Sequence, residues 1–136
     1  MPSKPKVQLK DIGLDIGLAF AKHVYKTDYL HYGIWPEGLK VEPANVLKAQ
    51  TNYADLLLEN NPSGVESILD VGCGSGKFTE QLLDAGFKVE AVSPSPHLSE
   101  IVLSRLGDRA RLHQCRYEDL TTDSRFDLIL FSESFQ

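Results

Sequence analysis

The sequence predicts an α/β protein in which helices cover a parallel sheet. Short apolar runs at 67–71, 88–92, 111–115 and 126–131 alternate with stretches of helical periodicity, a pattern typical of strand–helix–strand units. The first run passes through a glycine-rich turn into a helical pattern, the unit that α/β proteins use to hold nucleotide-like ligands. Right-handed crossovers predict the strand order 3-2-1-4, which places this turn at the topological switch point of the sheet.

The first half of the chain is predicted to be a flexible tail, residues 1–12, followed by a helical cover, residues 13–62. Frequent apolar residues predict a short helix over 13–25. Residues 28–38, here called the cover segment, are dense in aromatic side chains. Because large rings are costly to leave in water, this segment should lie against the rest of the domain. Residues 41–60 predict a second helix, with Pro43 in its first turn and one apolar stripe.

The second half, residues 63–136, is predicted to form the sheet. A helix follows the glycine-rich turn and ends at Gly86, a residue type common just past the end of a helix. Ser95 is predicted to cap the next helix, with Pro96 at its first position. The run at 126–131 is apolar enough to predict a strand that is buried on both faces.

Composition places the chain among ordinary globular proteins. Its 136 residues suit one domain, with 42% hydrophobic and 24% charged residues. The net charge of −5 argues against nucleic acid or an anionic membrane surface as a partner, and no apolar stretch is long enough to span a membrane. Two cysteines without metal-ligand companions, and an amino terminus without a signal-peptide pattern, predict a cytoplasmic protein with no metal site.

The spacing of the glycines narrows the ligand class. Gly72, Gly74 and Gly76 occupy the first, third and fifth places of the turn, whereas a dinucleotide site has its third glycine at the sixth place, where this chain has Lys77. With the leading Asp70, this Asp-x-Gly-x-Gly-x-Gly form resembles the signature loop of class I S-adenosylmethionine-dependent methyltransferases, whose sheet is Rossmann-like. The alternative is an ordinary glycine-rich turn between a strand and a helix.

The resemblance implies S-adenosylmethionine as cofactor, with S-adenosylhomocysteine as product. Asp70 would engage the amino group of the cofactor through water, and the loop backbone would line the methionine moiety; alternatively, Asp70 organises the N–H groups of the turn. Ser93 stands where the family usually has an acid for the ribose, and it is either a weaker ribose contact or only a polar strand end. Arg116 stands where an acid near the adenine is common, a second departure. The implied cofactor-binding residues are Asp70, Gly72, Cys73, Gly74, Gly76, Ser93, Pro94, Tyr117, Glu118 and Ser132.

A second resemblance concerns the acceptor. The His-Tyr-Gly-x-Trp pattern in the cover segment is similar to the amino-terminal cover of several small-molecule methyltransferases. It implies that His31, Tyr32 and Trp35, together with Glu133, contact the substrate. No catalytic residue is predicted, because methyl transfer from a sulfonium is an in-line displacement that depends mainly on alignment.

No catalytic role is predicted for the remaining histidines or for either cysteine. The sequence predicts that the histidines outside the cover segment are exposed, and that both cysteines are small apolar fillers near the ends of strands. These residues are His23, His97, His113, Cys73 and Cys115.

The resemblance also implies a partial fold. A class I methyltransferase sheet has seven strands, so the fold expected here is truncated after the fourth strand, and most of the acceptor half is absent. The apolar edge of that strand favours a dimer or a strand swap. The predicted function is methyl transfer to a small-molecule acceptor, with the fragment inactive alone. The alternatives are a non-catalytic methyltransferase-like binding module and an NADP-dependent oxidoreductase.

Overall fold

The computed structural model describes residues 9–134, and its centre is a parallel sheet. The strands are β1 Ser67–Val71, β2 Lys88–Val92, β3 Arg111–His113 and β4 Leu128–Phe131, in the order β3-β2-β1-β4. β1 pairs with β2 on one side and with β4 on the other, so Asp70 lies opposite Ala91 and Leu130. The predicted class and strand order are confirmed, and the strand that leads into the glycine-rich turn is central to the sheet.

The α-helices described are α1 Leu9–Phe20, α2 Val46–Glu59, α3 Lys77–Asp84 and α4 Pro96–Leu106. A π-helical turn, Ala21–Tyr25, continues α1, and a 3-10 turn, Pro43–Asn45, precedes α2. Further 3-10 turns lie at Gly107–Arg109 and Tyr117–Asp119. α1 begins at Leu9 rather than at residue 13, and residues 1–8 of the predicted tail lie outside the described residues.

Local sequence signals set the ends of two helices as predicted. The Ser95 hydroxyl accepts a hydrogen bond from the N–H of Leu98 at 3.2 Å, and Pro96 takes the first helical position of α4. Gly86 follows the end of α3 with a φ of 96°, and its N–H donates to the carbonyl of Leu83 at 3.0 Å. Glycine suits this place because it has no Cβ to oppose a left-handed backbone.

The two faces of the sheet are packed differently. Ile68 of β1 is fully buried in a cluster with Ala54 of α2 and Leu82 of α3. Alternation along the strand turns Leu69 to the opposite face, where loop residues, including Phe126, cover it. On the described part of the chain, the helical layer therefore packs against one face of β1, and connecting segments pack against the other.

The prediction that the fourth strand is buried on both faces is wrong. β4 is shorter than expected, and its Ile129 is 44% exposed. Leu128 and Leu130 pack partly against the helical layer. β4 lies at the edge of the described sheet and pairs with β1 alone, so one side of it has no neighbouring strand among residues 9–134. The apolar composition of β4 predicts a hydrophobic strand, but it does not predict the position of that strand in the sheet.

The prediction that His113 is exposed is also wrong. Its side chain is 8% exposed, and Nε2 lies 2.5 Å from a carboxylate oxygen of Glu90 on the neighbouring strand. The hydroxyl of Ser124 donates to the other oxygen of Glu90 at 2.8 Å. This network ties β2 to β3 and to the loop before β4. His23 is exposed as predicted, whereas His97 contacts Asp15 of α1 at 2.6 Å.

Within residues 9–134, every helix is too short or too polar to cross a membrane.

Candidate functional site

A cavity of about 320 Å³ lies where the carboxyl end of β1 meets the cover segment. This volume is at the lower end of the range for small-molecule sites. The glycine loop comprises residues 72–76. Its residues 72–75 form one side of the cavity, and the start of α3 continues it. The cavity is lined by Tyr29, Leu30, His31, Tyr32, Asp70, Gly72, Cys73, Gly74, Ser75, Lys77, Phe78, Ser132 and Glu133.

The glycine loop owes its shape to backbone conformations that favour glycine. Gly72, Gly74 and Gly76 have φ values of 73°, 57° and 76°. A Cβ added at Gly72 would collide with Ser134, whose hydroxyl donates to the carbonyl of Val71, and one at Gly74 would lie 3.4 Å from Leu30. Gly72 therefore also lets the end of β4 approach the loop, whereas a Cβ at Gly74 would meet Leu30 at ordinary van der Waals distance.

Asp70 places a buried carboxyl group at the base of the cavity. The residue is 2% exposed, and the hydroxyl of Thr79 on α3 donates to its Oδ2 at 2.6 Å. Burial raises the pKa of Asp70 to about 6, although the hydrogen bond from Thr79 opposes the shift. Within residues 9–134 no cationic side chain pairs with it. Above pH 6 the group is a buried negative charge, which a cationic ligand group would stabilise.

Backbone contacts dock the cover segment on α2. The amide of Gln50 donates to the carbonyl of His31 at 2.5 Å, and the N–H of Ile34 donates to the carbonyl of Ala49 at 2.8 Å. Gly33, between the two contacts, has a φ of 81°, and a Cβ there would lie 2.5 Å from the backbone of Ala49. The expectation that the aromatic segment packs on the domain is therefore confirmed for its backbone and for Tyr29, which is 6% exposed, but not for the ring of Tyr32, which is 86% exposed.

The imidazole of His31 lies between two aromatic rings. Its centroid is 5.0 Å from that of Tyr29 and 4.8 Å from that of Tyr53. Both ring nitrogens are buried, and neither has a hydrogen-bond partner in the described part of the chain. Burial lowers the pKa of His31, although the negative charge of Glu133 opposes this shift. The ring is therefore neutral at pH 7.

Glu133 joins the end of β4 to the cover segment. Its Oε2 accepts a hydrogen bond from the N–H of Tyr32 at 3.0 Å. Its φ is 57°, a conformation that costs energy for a residue with a side chain and that is common at functional sites. The contact closes the side of the cavity that faces the end of β4.

Several predicted residues lie outside the cavity lining. Ser93 is 2% exposed, and its hydroxyl accepts from the N–H of Ser95 at 3.4 Å. The ring of Tyr117 is 5.1 Å from that of Phe131, and the Trp35 indole donates to the carbonyl of Tyr32 at 3.1 Å. The residues outside the lining are Gly76, Ser93, Pro94, Tyr117, Glu118 and Trp35.

The cysteines are packed as small side chains. Cys73 is buried among apolar residues, and burial raises the pKa of its thiol to about 12. Cys115 packs partly against the other face of the sheet, beside Leu69. Both cysteines are free thiols. Their packing among apolar side chains agrees with the prediction that they fill space as small apolar residues.

Sequence reasoning missed two residues that support the site. Thr79 follows the glycine loop on α3 and donates to Asp70. Arg105, near the end of α4, donates from Nε to the carbonyl of Ser75 at 3.0 Å. A threonine or an arginine on a helix carries no local signal for such a contact. Only the helical periodicity of α3, which turns Thr79 toward β1, could have indicated the first of them.

Comparisons with known proteins agree with this architecture. A family model described as a methyltransferase domain matches residues 68–136. The cypemycin N-terminal methyltransferase of a Streptomyces species is 34% identical over 76 residues, which are 55% of this chain and 31% of that protein. The O-methyltransferase cnsE of Penicillium expansum is 32% identical over 93 residues, 66% of this chain and 33% of that protein. The chain thus spans about a third of the length of these relatives.

Among solved structures, the [4+2]-cyclase SpnF has a TM-score of 0.68 at 19% identity, and the match covers 92% of this chain and 49% of that one. This likeness confirms the Rossmann-like fold. The match extends beyond the sheet and takes in most of the first half of the chain.

Proposed function

The chain belongs to the methyltransferase-domain family, and from this premise we propose that it binds S-adenosylmethionine in the cavity and transfers the methyl group to a small-molecule acceptor. The observation that carries the proposal is the buried carboxyl group of Asp70 beside a glycine loop that lines the cavity. The match of the family model to residues 68–136 supports the same assignment.

The residues at the cavity fit the methionine part of this cofactor. An amino group would offset the unpaired negative charge of Asp70, and the loop backbone would lie along the methionine chain. A cavity of about 320 Å³ at this place suits that part of the molecule. We propose that the adenosine part extends toward Ser93, Pro94, Tyr117 and Glu118, which follow β2 and β3 outside the lining.

Alignment is the main contribution that this chain can make to the reaction. The cofactor supplies an electrophilic methyl group, and the acceptor has to be held in line with it. Ser132 and Glu133 lie on the cavity beside the glycine loop, and His31 and Tyr32 lie on the cover segment. We propose that Glu133, His31 and Tyr32 orient the acceptor, and that Ser132 contacts the cofactor. Both ring nitrogens of His31 are buried, so this imidazole can take a proton from an acceptor only after the cover segment moves.

Membership of the family does not specify which acceptor is methylated. The relatives include an N-terminal methyltransferase and an O-methyltransferase, and the Rossmann-like structural neighbour described above is a cyclase. Since one fold can carry several reactions, ligand binding has to be measured directly.

Isothermal titration with S-adenosylmethionine, S-adenosylhomocysteine and NADP tests the proposal. Binding of the first two alone supports it, and binding of NADP alone supports an oxidoreductase. Binding of none contradicts it and favours a binding module for another ligand. Asp70→Asn should weaken binding of S-adenosylmethionine, because the variant removes the buried charge. Asp127→Asn is the matched control: Asp127 accepts hydrogen bonds from Glu66 and Ser67 at the opposite end of β1, far from the cavity lining.

We also propose that β4 mediates self-association of this chain. Ile129 is 44% exposed, and β4 has an open side within the described residues. An apolar strand edge is a template for pairing with a second copy. Size-exclusion chromatography across a dilution series should show a dimer, and a monomer at every concentration would refute the proposal.

A further inference from the structure

Arg105 contacts three separate elements around the site, although it lies on α4 and outside the cavity lining. Its Nε donates to the carbonyl of Ser75 in the glycine loop at 3.0 Å. Its Nη2 lies 3.1 Å from a carboxylate oxygen of Asp28 in the cover segment, and its Nη1 lies 3.4 Å from one of Glu80 on α3. The side chain is only 17% exposed. One guanidinium group therefore joins the glycine loop, the cover segment and α3.

A second contact links the same two segments. The hydroxyl of Ser75 donates to the backbone carbonyl of Asp28. Ser75 itself is 4% exposed, so its side chain and its carbonyl are both held between Asp28 and Arg105. The cover segment is thus fastened to the glycine loop at residue 28, directly before the cavity-lining residues 29–32.

The shape of the guanidinium explains why an arginine stands here. Its rigid planar fork presents N–H groups in several fixed directions and can serve three acceptors at once. A lysine ammonium is a point charge on a flexible stem, so it could satisfy the charge of Asp28 without fixing the carbonyl of Ser75. Removing the fork should therefore loosen the cover segment at residue 28 without removing any group from the cavity, while the hydroxyl contact of Ser75 and the contacts to α2 remain.

We propose that Arg105 is a positioning residue that latches the cover segment onto the glycine loop through Asp28, and that release of this latch opens the cavity. The role of the latch in ligand entry rests on the proposed function, whereas the latch itself does not. The contact is suited to opening because Asp28 is 46% exposed, so water can replace Arg105 as its partner.

Trp35 reports on the latch without any ligand. It is the only tryptophan of the chain and a residue of the cover segment, where its indole donates to the carbonyl of Tyr32. Acrylamide quenching of its fluorescence measures how accessible this part of the cover segment is to solvent. Asp28→Asn removes the charge of the pair and keeps the backbone carbonyl that accepts from Ser75. Arg105→Lys keeps the charge and removes the fork.

We expect both variants to raise the quenching constant roughly twofold or more, with unchanged far-ultraviolet circular dichroism. Asp84→Asn is the matched control, because Asp84 forms a similar pair with Arg109 at 2.5 Å away from the cover segment, and it should leave quenching unchanged. Unchanged quenching in Asp28→Asn, or an equal rise in Asp84→Asn, would overturn the proposal. If Arg105→Lys fails to fold, Asp28→Asn decides the question alone.

Titration with S-adenosylmethionine tests the role of the latch in binding. If the closed cover is the binding-competent state, a tenfold fall in its population weakens the apparent affinity about tenfold. Asp28→Asn should weaken the apparent affinity by the factor by which it lowers that population, and an affinity equal to that of the wild type would contradict the role in ligand entry. A wild-type chain that does not bind S-adenosylmethionine would refute the proposed function, and the quenching result would still decide whether the latch exists.

Discussion

Replacing Asp70 with asparagine should stabilise the fold while it weakens cofactor binding. Burial raises the pKa of this carboxyl group from 3.8 to about 6. Because the pKa is higher in the folded state, the unfolded state gives up its proton first as the pH rises. The free energy of unfolding therefore decreases as the pH increases from 3.8 to about 6, and the loss persists at neutral pH. An asparagine carries no charge and does not undergo this loss.

The size of the effect follows from the shift. One pKa unit corresponds to about 1.4 kcal/mol, so the shift of Asp70 corresponds to about 3 kcal/mol at pH 7. Asp70 is only 2% exposed, so solvent screening hardly reduces this energy. This shift already includes the hydrogen bond from Thr79, which favours the carboxylate, so nothing more is subtracted for it. The expected gain is about 3 kcal/mol, or roughly 12 °C in Tm for a chain of this size.

Urea denaturation at pH 7.5 and pH 4.0 measures this effect. Asp70→Asn should be more stable than the wild type at pH 7.5, and the difference should shrink at pH 4.0. Asp127→Asn should instead be less stable than the wild type at both pH values, since hydrogen bonds from Glu66 and Ser67 lower the pKa of Asp127 and pH 4.0 still lies above its ordinary value of 3.8. The reasoning fails if Asp70→Asn is less stable than the wild type at pH 7.5, or if its advantage is the same at both pH values.

Three further predictions concern the cover segment, the buried thiol and a helix cap. Gly33→Ala should cost more than about 2 kcal/mol in urea denaturation, because it adds a clash with the backbone of Ala49 to the strain of a positive φ. Gly38→Ala, with a similar φ and open space, should cost about 1 kcal/mol, and equal costs would show that the clash is relieved. Iodoacetamide at pH 7.5 should leave Cys73 unlabelled until the chain is denatured, since its thiol pKa is about 12; mass spectrometry of peptides that shows rapid native labelling would contradict this. Ser95→Ala should lower the free energy of unfolding by about 1 kcal/mol through loss of the cap of α4, and a neutral result would mean that water replaces the hydroxyl.

Sequence reasoning succeeded where neighbouring residues decide the structure. The bounds of β1 and β2, the cap at Ser95 and the turn at Gly86 depend on a few consecutive residues, and all were predicted. It failed where burial depends on distant parts of the chain. His113 has the local pattern of an exposed strand end, yet it is held by Glu90, to which Ser124 also donates. Ile129 has the pattern of a buried strand, yet it is 44% exposed, and β4 lies at the edge of the sheet that residues 9–134 form.

The features of the candidate site also fall into those that the sequence predicts and those that only the structure shows. The sequence by itself determined the strand order and the glycine loop after Asp70, because strand periodicity, crossover handedness and the positive φ of glycine are local or general properties of the chain. Only the tertiary structure decided that Thr79 partners Asp70, that His31 lies between two tyrosine rings, and that Arg105 joins the loop to the cover segment. These contacts join segments that are separate in the sequence, and their partners are chosen by packing rather than by residue type alone.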